Sequence, residues 1–175
     1  MPASGRNPVR TRILILEEHP LLRHGICDYL NSQPDMICCG EAGNIRDARD
    51  KIAECKPHLL LTALRLGAGD SLEFVKALKT ERPSLQILVY SAFEEAIFAE
   101  RSLRAGAQGY LMKSAPREEL AAAIREILGG EIYVAATWRC APLKNRSSRA
   151  PTAARSVIPS VSKDCPIASC TFSFC

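Results

Sequence analysis

Apolar residues along the first 134 positions switch repeatedly between two rhythms. Short, mostly apolar runs stand at Arg12–Leu16, Met36–Gly40, Leu59–Leu64, Gln86–Tyr90 and Gly109–Met112. Runs of four to six residues bounded by turn formers predict strands buried on both faces. Between them, apolar positions recur every three or four residues, the period of an amphipathic helix. The first such stripe is Leu21, Leu22, Gly25, Ile26, Tyr29 and Leu30, opened by Pro20, which suits a first helical turn. The second is Ile45, Ala48, Ile52 and Cys55; the third is Leu72, Val75 and Leu78, stopped by Pro83. The fourth runs from Ile97 to Ala105 and ends at Gly106, a helix-terminating residue. The fifth opens at Pro116, carries Glu118 and Glu119 in its first turn, and lines up Leu120, Ala123, Ile124, Ile127 and Leu128 before Gly129-Gly130. Five strands alternating with five helices predict an α/β domain: a doubly wound five-stranded parallel sheet covered on both faces.

In such sheets, functional groups collect at the carboxyl ends of the strands. Glu17 and Glu18 follow the first strand, Ala63 lies near the end of the third, Ser91 follows the fourth and Lys113 the fifth. Paired carboxylates can hold Mg²⁺, and a lysine beside them can pair with a phosphoryl group. The same residues also read as solvated loop acids with Lys113 paired to them. A flavin or dinucleotide site is disfavoured, because Leu16-Glu-Glu-His-Pro-Leu21 stands where a glycine-rich phosphate loop would be. His19 belongs to this first loop and has no partnered nucleophile that would make it catalytic.

Charge divides the 175-residue chain more sharply than its net of +4 suggests. Residues 13–135 hold 14 basic and 18 acidic residues, between a 12-residue segment of net +3 and a last segment, 136–175, of net +5. The chain reads as a flexible basic arm (1–11), a domain (12–134) and a Ser-, Pro- and Cys-rich tail (135–175) with no helical periodicity, expected to be disordered. Nothing at the N-terminus reads as a secretory signal, and no run approaches the ~18 apolar residues of a membrane span. A cytoplasmic, reducing location follows, so the eight cysteines are not expected to form a disulfide framework. Cys27, Cys38, Cys39 and Cys55 fall on apolar stripes and read as small residues in or near the core. Cys165, Cys170 and Cys175 are separated by four residues each, at the edge of zinc-site spacing, with Cys140 further back; the tail holds no histidine, so zinc is disfavoured there.

Five segments together resemble the receiver domain of two-component response regulators, in the subfamily with LuxR-type helix-turn-helix output. They are Ile13-Leu-Ile-Leu-Glu-Glu-His-Pro-Leu-Leu-Arg-His-Gly25, Pro57 to Leu66, Ile87-Leu-Val-Tyr-Ser-Ala92, Ala105 to Lys113, and Glu118-Glu-Leu to Val134. The resemblance implies a flavodoxin-like receiver fold. It also implies a phosphorelay chemistry in which an aspartate ending the third strand accepts a phosphoryl group beside Mg²⁺. By position, the metal-binding acidic pair falls on Glu17 and Glu18, the phosphate-contacting hydroxyl on Ser91, the lysine on Lys113 and the aromatic switch on Tyr110. The phosphoacceptor position falls on Ala63, whose methyl group can neither attack phosphorus nor ligate a metal. Thr62 faces the other way by strand alternation, and Asp70 lies several residues further on. Both members of the acidic pair are Glu, a methylene longer than Asp, and Mg²⁺ tolerates misplaced ligands badly.

No catalytic residue, no cofactor and at most weak Mg²⁺ binding are therefore expected. The reading is a non-enzymatic pseudo-receiver that works through protein partners: a histidine kinase, another receiver or a second copy. The surface implied is that of the fourth helix, fifth strand and fifth helix, with no specific nucleic-acid binding and no membrane contact. A four-helix DNA-binding domain needs roughly 56 residues. The 40 residues after Ala135 are too few, so a LuxR-type transcription regulator with a truncated or frameshifted output half is the alternative. An enzyme on the same fold would need a nucleophile at position 63.

Overall fold

A computed structural model of the chain describes residues 10–67 and 69–134. Most of the proposed arm and all of the proposed tail, with Cys140, Cys165, Cys170 and Cys175, lie outside the described residues. The elements in order are β1 (Thr11–Leu16), α1 (Pro20–Asn31), β2 (Met36–Ala42), α2 (Ile45–Cys55), β3 (Leu59–Thr62), β4 (Arg65–Leu66), β5 (Gly69–Asp70), α3 (Leu72–Glu81), β6 (Gln86–Ser91), α4 (Glu95–Arg104), β7 (Gly109–Met112) and α5 (Arg117–Leu128).

The main sheet is five-stranded and parallel, in the order β2-β1-β3-β6-β7. The chain steps from β1 outward to β2, then crosses back to lay β3 on the other side of β1. This reversal opens a crevice at the carboxyl ends of β1 and β3, where open α/β sheets bind ligands. It places the loop after Leu16 beside Ala63, as expected from the sequence.

Strand alternation sorts the apolar runs into two cores. Leu14, Leu16, Leu60, Ile87, Val89 and Tyr110 face α2, α3 and α4, against Ile52, Phe74, Val75 and Ala99. Ile13, Ile15, Leu59, Leu61, Leu88 and Leu111 face α1 and α5, against Ile26, Leu30, Ile124 and Ile127. Burying each large side chain contributes about 1.5–3 kcal/mol, so the two faces together hold the sheet.

Five details depart from the sequence reading. The third strand stops at Thr62 rather than Leu64, although Ala63 still donates its N–H to the Leu16 carbonyl at 2.9 Å. The following segment is a two-residue antiparallel ribbon, β4 with β5, turned at Gly67, where φ is +62°. A side chain would be strained there. The second strand runs two residues past Gly40 and contains a bulge: Ile13 pairs with Cys38 but Leu14 pairs with Gly40, leaving Cys39 as the extra residue. Finally, Leu21 is 89% exposed. The inward row of α1 is Leu22, Ile26, Tyr29 and Leu30. Leu21, Gly25 and Asp28 form the outward row at the same helical spacing. The fourth helix starts at Glu95, two residues before Ile97.

Glycine 109 marks where the chain closes on itself after α5. Tyr133 bridges to β7 there, its N–H on the Gln108 carbonyl and its own carbonyl taking the Tyr110 N–H. A Cβ at Gly109 would lie 2.8 Å from Ile127 Cδ1 and 2.9 Å from the Tyr133 carbonyl oxygen. Gly109→Ala is expected to destabilise by about 1–3 kcal/mol through overpacking. Gly25→Ala, whose Cβ meets nothing within 4 Å on α1, is expected to stabilise by about 0.5–1 kcal/mol. Urea midpoints of the two variants, moving in opposite directions from the parent, check both.

Candidate functional site

Two side chains predicted for the site, Glu17 and Lys113, meet at the carboxyl edge of the sheet, but in an arrangement that spacing alone does not reveal. Glu17 follows β1 and Lys113 follows β7, two strands that are not neighbours. With adjacent strands about 4.8 Å apart, the backbones stand about 14 Å from each other. The two long side chains close that span: Lys113 Nζ lies 2.6 Å from Glu17 Oε2. Between the two strands stand Ala63, just past the end of β3, and Ser91, the last residue of β6.

The Glu17 side chain is 3% exposed and that of Lys113 is 20% exposed. A carboxylate taken so far out of water needs its lone pairs satisfied. Besides Lys113, Glu17 Oε1 accepts the His19 backbone N–H at 3.1 Å and lies 2.7 Å from His19 Nδ1. Burial alone would raise the Glu17 pKa. The hydrogen bonds from Lys113 and His19 outweigh it and hold the carboxyl below its usual value of 4.5. The carbonyl of Glu17 is held as well, accepting from Arg23 Nη1 at 2.7 Å. His19 is thus a supporting residue of the site, and the only sequence signal for it was adjacency to the acidic pair.

Glu18 is turned elsewhere. Its Oε2 accepts the Gly67 N–H at 2.5 Å, tying the first loop to the β4–β5 turn. Ser91 is buried; its Oγ accepts the Phe93 N–H at 3.1 Å and its carbonyl accepts the Lys113 N–H at 2.6 Å. Tyr110 is fully buried, and its hydroxyl donates to the Phe93 carbonyl at 2.8 Å. Ala63 is buried, and its carbonyl accepts from Ser71 Oγ at 2.7 Å and from Thr62 Oγ1 at 3.0 Å. Asp70 lies in β5, where Oδ1 accepts the Leu72 N–H at 2.9 Å and Oδ2 lies 3.7 Å from Arg101 Nη2. It is engaged with the start of α3 and with α4.

Mg²⁺ binds through oxygen ligands in near-octahedral geometry at about 2.0–2.1 Å. Both oxygens of Glu17 are occupied by donors, an ammonium among them. One oxygen of Glu18 is taken by Gly67, the other lies 4.0 Å from His19 Nδ1, and position 63 offers no side-chain oxygen. Among the described residues, Glu17 and Glu18 belong to no cluster of three or more metal-ligating side chains. The residues present do not fit a Mg²⁺ ion. A surface depression lined by Lys56, His58, Arg82 and Gln86 lies at the amino ends of β3 and β6, away from this edge.

A doubly wound sheet with acid, hydroxyl, lysine and buried tyrosine at its carboxyl edge defines the class of receiver domains. The family profile "Response regulator receiver domain" matches residues 13–125, and the chain belongs to that family. Receiver domains of this family are signalling modules of two-component systems, and they generally bind Mg²⁺. The oxygen regulatory protein NreC of Staphylococcus aureus is 36% identical over 124 residues, covering 70% of this chain and 57% of NreC. The chain therefore spans little more than half the length of the curated relatives it matches. A two-component response regulator of the LuxR family from Aurantimonas sp. SI85-9A1 superposes with a TM-score of 0.69 at 26% identity, over 73% of this chain and 91% of that one. The signal receiver domain of the response regulator NarL from Mycobacterium tuberculosis superposes at 0.66 and 26% identity, over 71% of this chain and all of that one. The resemblance to LuxR-type receivers drawn from the sequence is therefore correct. No described helix is long and apolar enough to cross a membrane.

The Glu17–Lys113 pair makes two linked predictions. Lys113→Met strands a buried carboxylate and is expected to cost about 3 kcal/mol, while the double variant Glu17→Gln/Lys113→Met recovers most of that loss. The Glu17 carboxyl is more acidic folded than unfolded, so the unfolded chain binds its proton more readily. Its contribution is complete above about pH 4.5 and is lost as pH falls through the lower folded value. Urea unfolding from pH 6 to pH 3 should show a shallower loss of stability in the double variant than in the parent.

Proposed function

We propose that the chain works as a pseudo-receiver: a receiver-fold module, spanning residues 12–134, that signals by binding a protein partner without being phosphorylated. The observation that carries this reading is the alanine at position 63 beneath a closed Glu17–Lys113 ion pair. The phosphoacceptor carboxylate is missing, the lysine expected to contact a phosphoryl group is committed to Glu17, and the donors needed for Mg²⁺ are occupied. Asp70 does not substitute, being hydrogen-bonded at the start of α3.

What survives of the family's machinery is its coupling to the surface. Tyr110 reaches from inside β7 to the carbonyl of Phe93, in the loop before α4. Phe93 and Ile97 are exposed apolar residues there, Ile97 at 59%. Arg65, on the ribbon after β3, stacks over the Phe93 ring at 5.8 Å. A partner seated on α4, β7 and α5 would therefore act on the same hydrogen bond that ties the strand to the loop. A histidine kinase, another receiver or a second copy is the partner that this reading implies. Binding there biases two arrangements of the loop by differential affinity and needs no covalent change.

Incubation of the full chain with Mg²⁺ and acetyl phosphate, followed by intact mass, tests the proposal. No phosphoryl adduct is expected; a stoichiometric adduct on Asp70 or on either Glu would overturn it. Ala63→Asp alone is expected to label poorly, because Glu17 and Glu18 retain their longer side chains and their present partners. Efficient labelling of that single variant would show that position 63 is the only obstacle.

A further inference from the structure

The bulge in β2 brings together side chains that a regular strand would separate. Cys38 and Glu41 are three residues apart, so alternation would send them to opposite faces of the sheet. The extra residue at Cys39 resets the pattern. Cys38 packs on the α1 side, Cys39 turns to the α2 core, and Glu41 returns to the α1 side, where Arg23 and His24 meet it. Cys27 comes down from α1 onto the same spot. The sulfurs of Cys27 and Cys38 and a Glu41 carboxylate oxygen all lie within 4.8 Å of one another. His24, one helical turn before Cys27, places Nδ1 2.9 Å from Glu41 Oε2. Among the described residues this is the one group of three or more side chains able to ligate a metal.

We propose that Cys27, Cys38 and Glu41, with His24 as fourth ligand, form a site for a zinc-class divalent cation on the outer edge of the sheet. The chemistry of the set favours such an ion over Mg²⁺ or Ca²⁺. Two thiolates and an imidazole are soft-to-borderline donors, and zinc is held tetrahedrally by Cys, His and carboxylate ligands at about 2.0–2.3 Å. Those bond lengths put ligand atoms about 3.3–3.8 Å apart, so closure requires a contraction of about 1 Å among Cys27, Cys38 and Glu41, which are partly buried, while the exposed His24 ring, outside that group of three, must swing in from its contact with Glu41. Asn31 holds both cysteines: Nδ2 lies 3.4 Å from the Cys27 sulfur, and Oδ1 accepts the Cys38 backbone N–H at 2.9 Å. Such outer contacts orient ligands and tune their affinity.

The site competes with existing bonds. Arg23 Nε lies 3.3 Å from Glu41 Oε2, but its Nη1 is anchored on the Glu17 carbonyl, so the guanidinium has a second partner when the metal takes Glu41. Burial raises the pKa of both Cys27 and Cys38, so both are thiols in the metal-free protein. Binding must release their protons, and affinity should rise with pH.

The test uses the full chain with Cys140, Cys165, Cys170 and Cys175 replaced by serine, kept reduced and titrated with Co²⁺ and then Zn²⁺. One equivalent of Co²⁺ should produce thiolate-to-cobalt charge-transfer absorption, and Zn²⁺ should abolish it. Cys27→Ser and Cys38→Ser should each weaken zinc binding at least ~100-fold, and Glu41→Gln and His24→Ala about 10-fold. Cys39→Ser and Cys55→Ser, on the opposite face of β2, should bind as the parent does. Zn²⁺ should also protect Cys27 and Cys38 from alkylation relative to Cys39 and Cys55 in the unaltered site, a readout that needs no variant to fold. Absence of the charge-transfer band, unchanged affinity in the Cys38→Ser chain, or equal alkylation of all four cysteines would overturn the site. Unchanged affinity in His24→Ala would overturn the fourth ligand.

Discussion

A carboxylate that is almost wholly removed from water must be satisfied where it stands, and Glu17 is satisfied from across the sheet. Its partner Lys113 comes from a strand three places away, so the ion pair spans the carboxyl edge over the ends of β3 and β6. The first loop then follows from it. His19 closes on one oxygen of Glu17, Arg23 on its carbonyl, and Glu18 is left to catch the turn at Gly67. In a protein interior, losing one member of such a pair costs more than losing both, because the remaining charge has nowhere to go. The edge is therefore locked as a unit.

The lock and the missing nucleophile bear on the same chemistry. Phosphoryl transfer to a receiver needs a carboxylate at position 63, free oxygens for a metal and a lysine free to meet incoming negative charge. Ala63 removes the first, and the partners of Glu17 and Glu18 use the second and third. The family resemblance alone would describe a phosphorylated switch. The proposed pseudo-receiver differs because position 63 holds no carboxylate and Lys113 is paired with Glu17, and a fold alone does not specify an activity. The fold retains a buried tyrosine tied to an exposed loop, the connection through which the proposed partner surface would reach the core.

Much of this was legible in the residues because the relevant signals are local. The runs around Leu14, Leu60 and Leu88 announce doubly buried strands, and the stripe from Leu120 to Ile127 announces a helix, whatever surrounds them. The alanine at position 63 needs only a register count from Leu59. The features that were not legible depend on geometry between distant segments. Glu17 could be paired with the Lys113 ammonium only once β1 and β7 were placed in one sheet. The β4–β5 ribbon depends on a positive φ at Gly67, which a glycine permits but does not announce. Leu21 and Leu22 are identical in type, and only the orientation of α1 decides that one is buried and the other exposed. The bulge at Cys39 is a register slip against Ile13 and Leu14, invisible in β2 itself, yet it decides which cysteines face Glu41.

The most direct measurement is a titration of the ¹⁵N-labelled full chain with Mg²⁺ followed by beryllofluoride, observed through the backbone amides of Gly67, Ser91, Phe93 and Lys113. A locked edge without an acceptor predicts that these resonances stay in place at millimolar Mg²⁺ and do not move when beryllofluoride is added. Saturable shifts at Lys113 and Ser91 that require both components would mean that the edge opens, coordinates the metal and accepts a phosphoryl mimic, contradicting a phosphorylation-independent module.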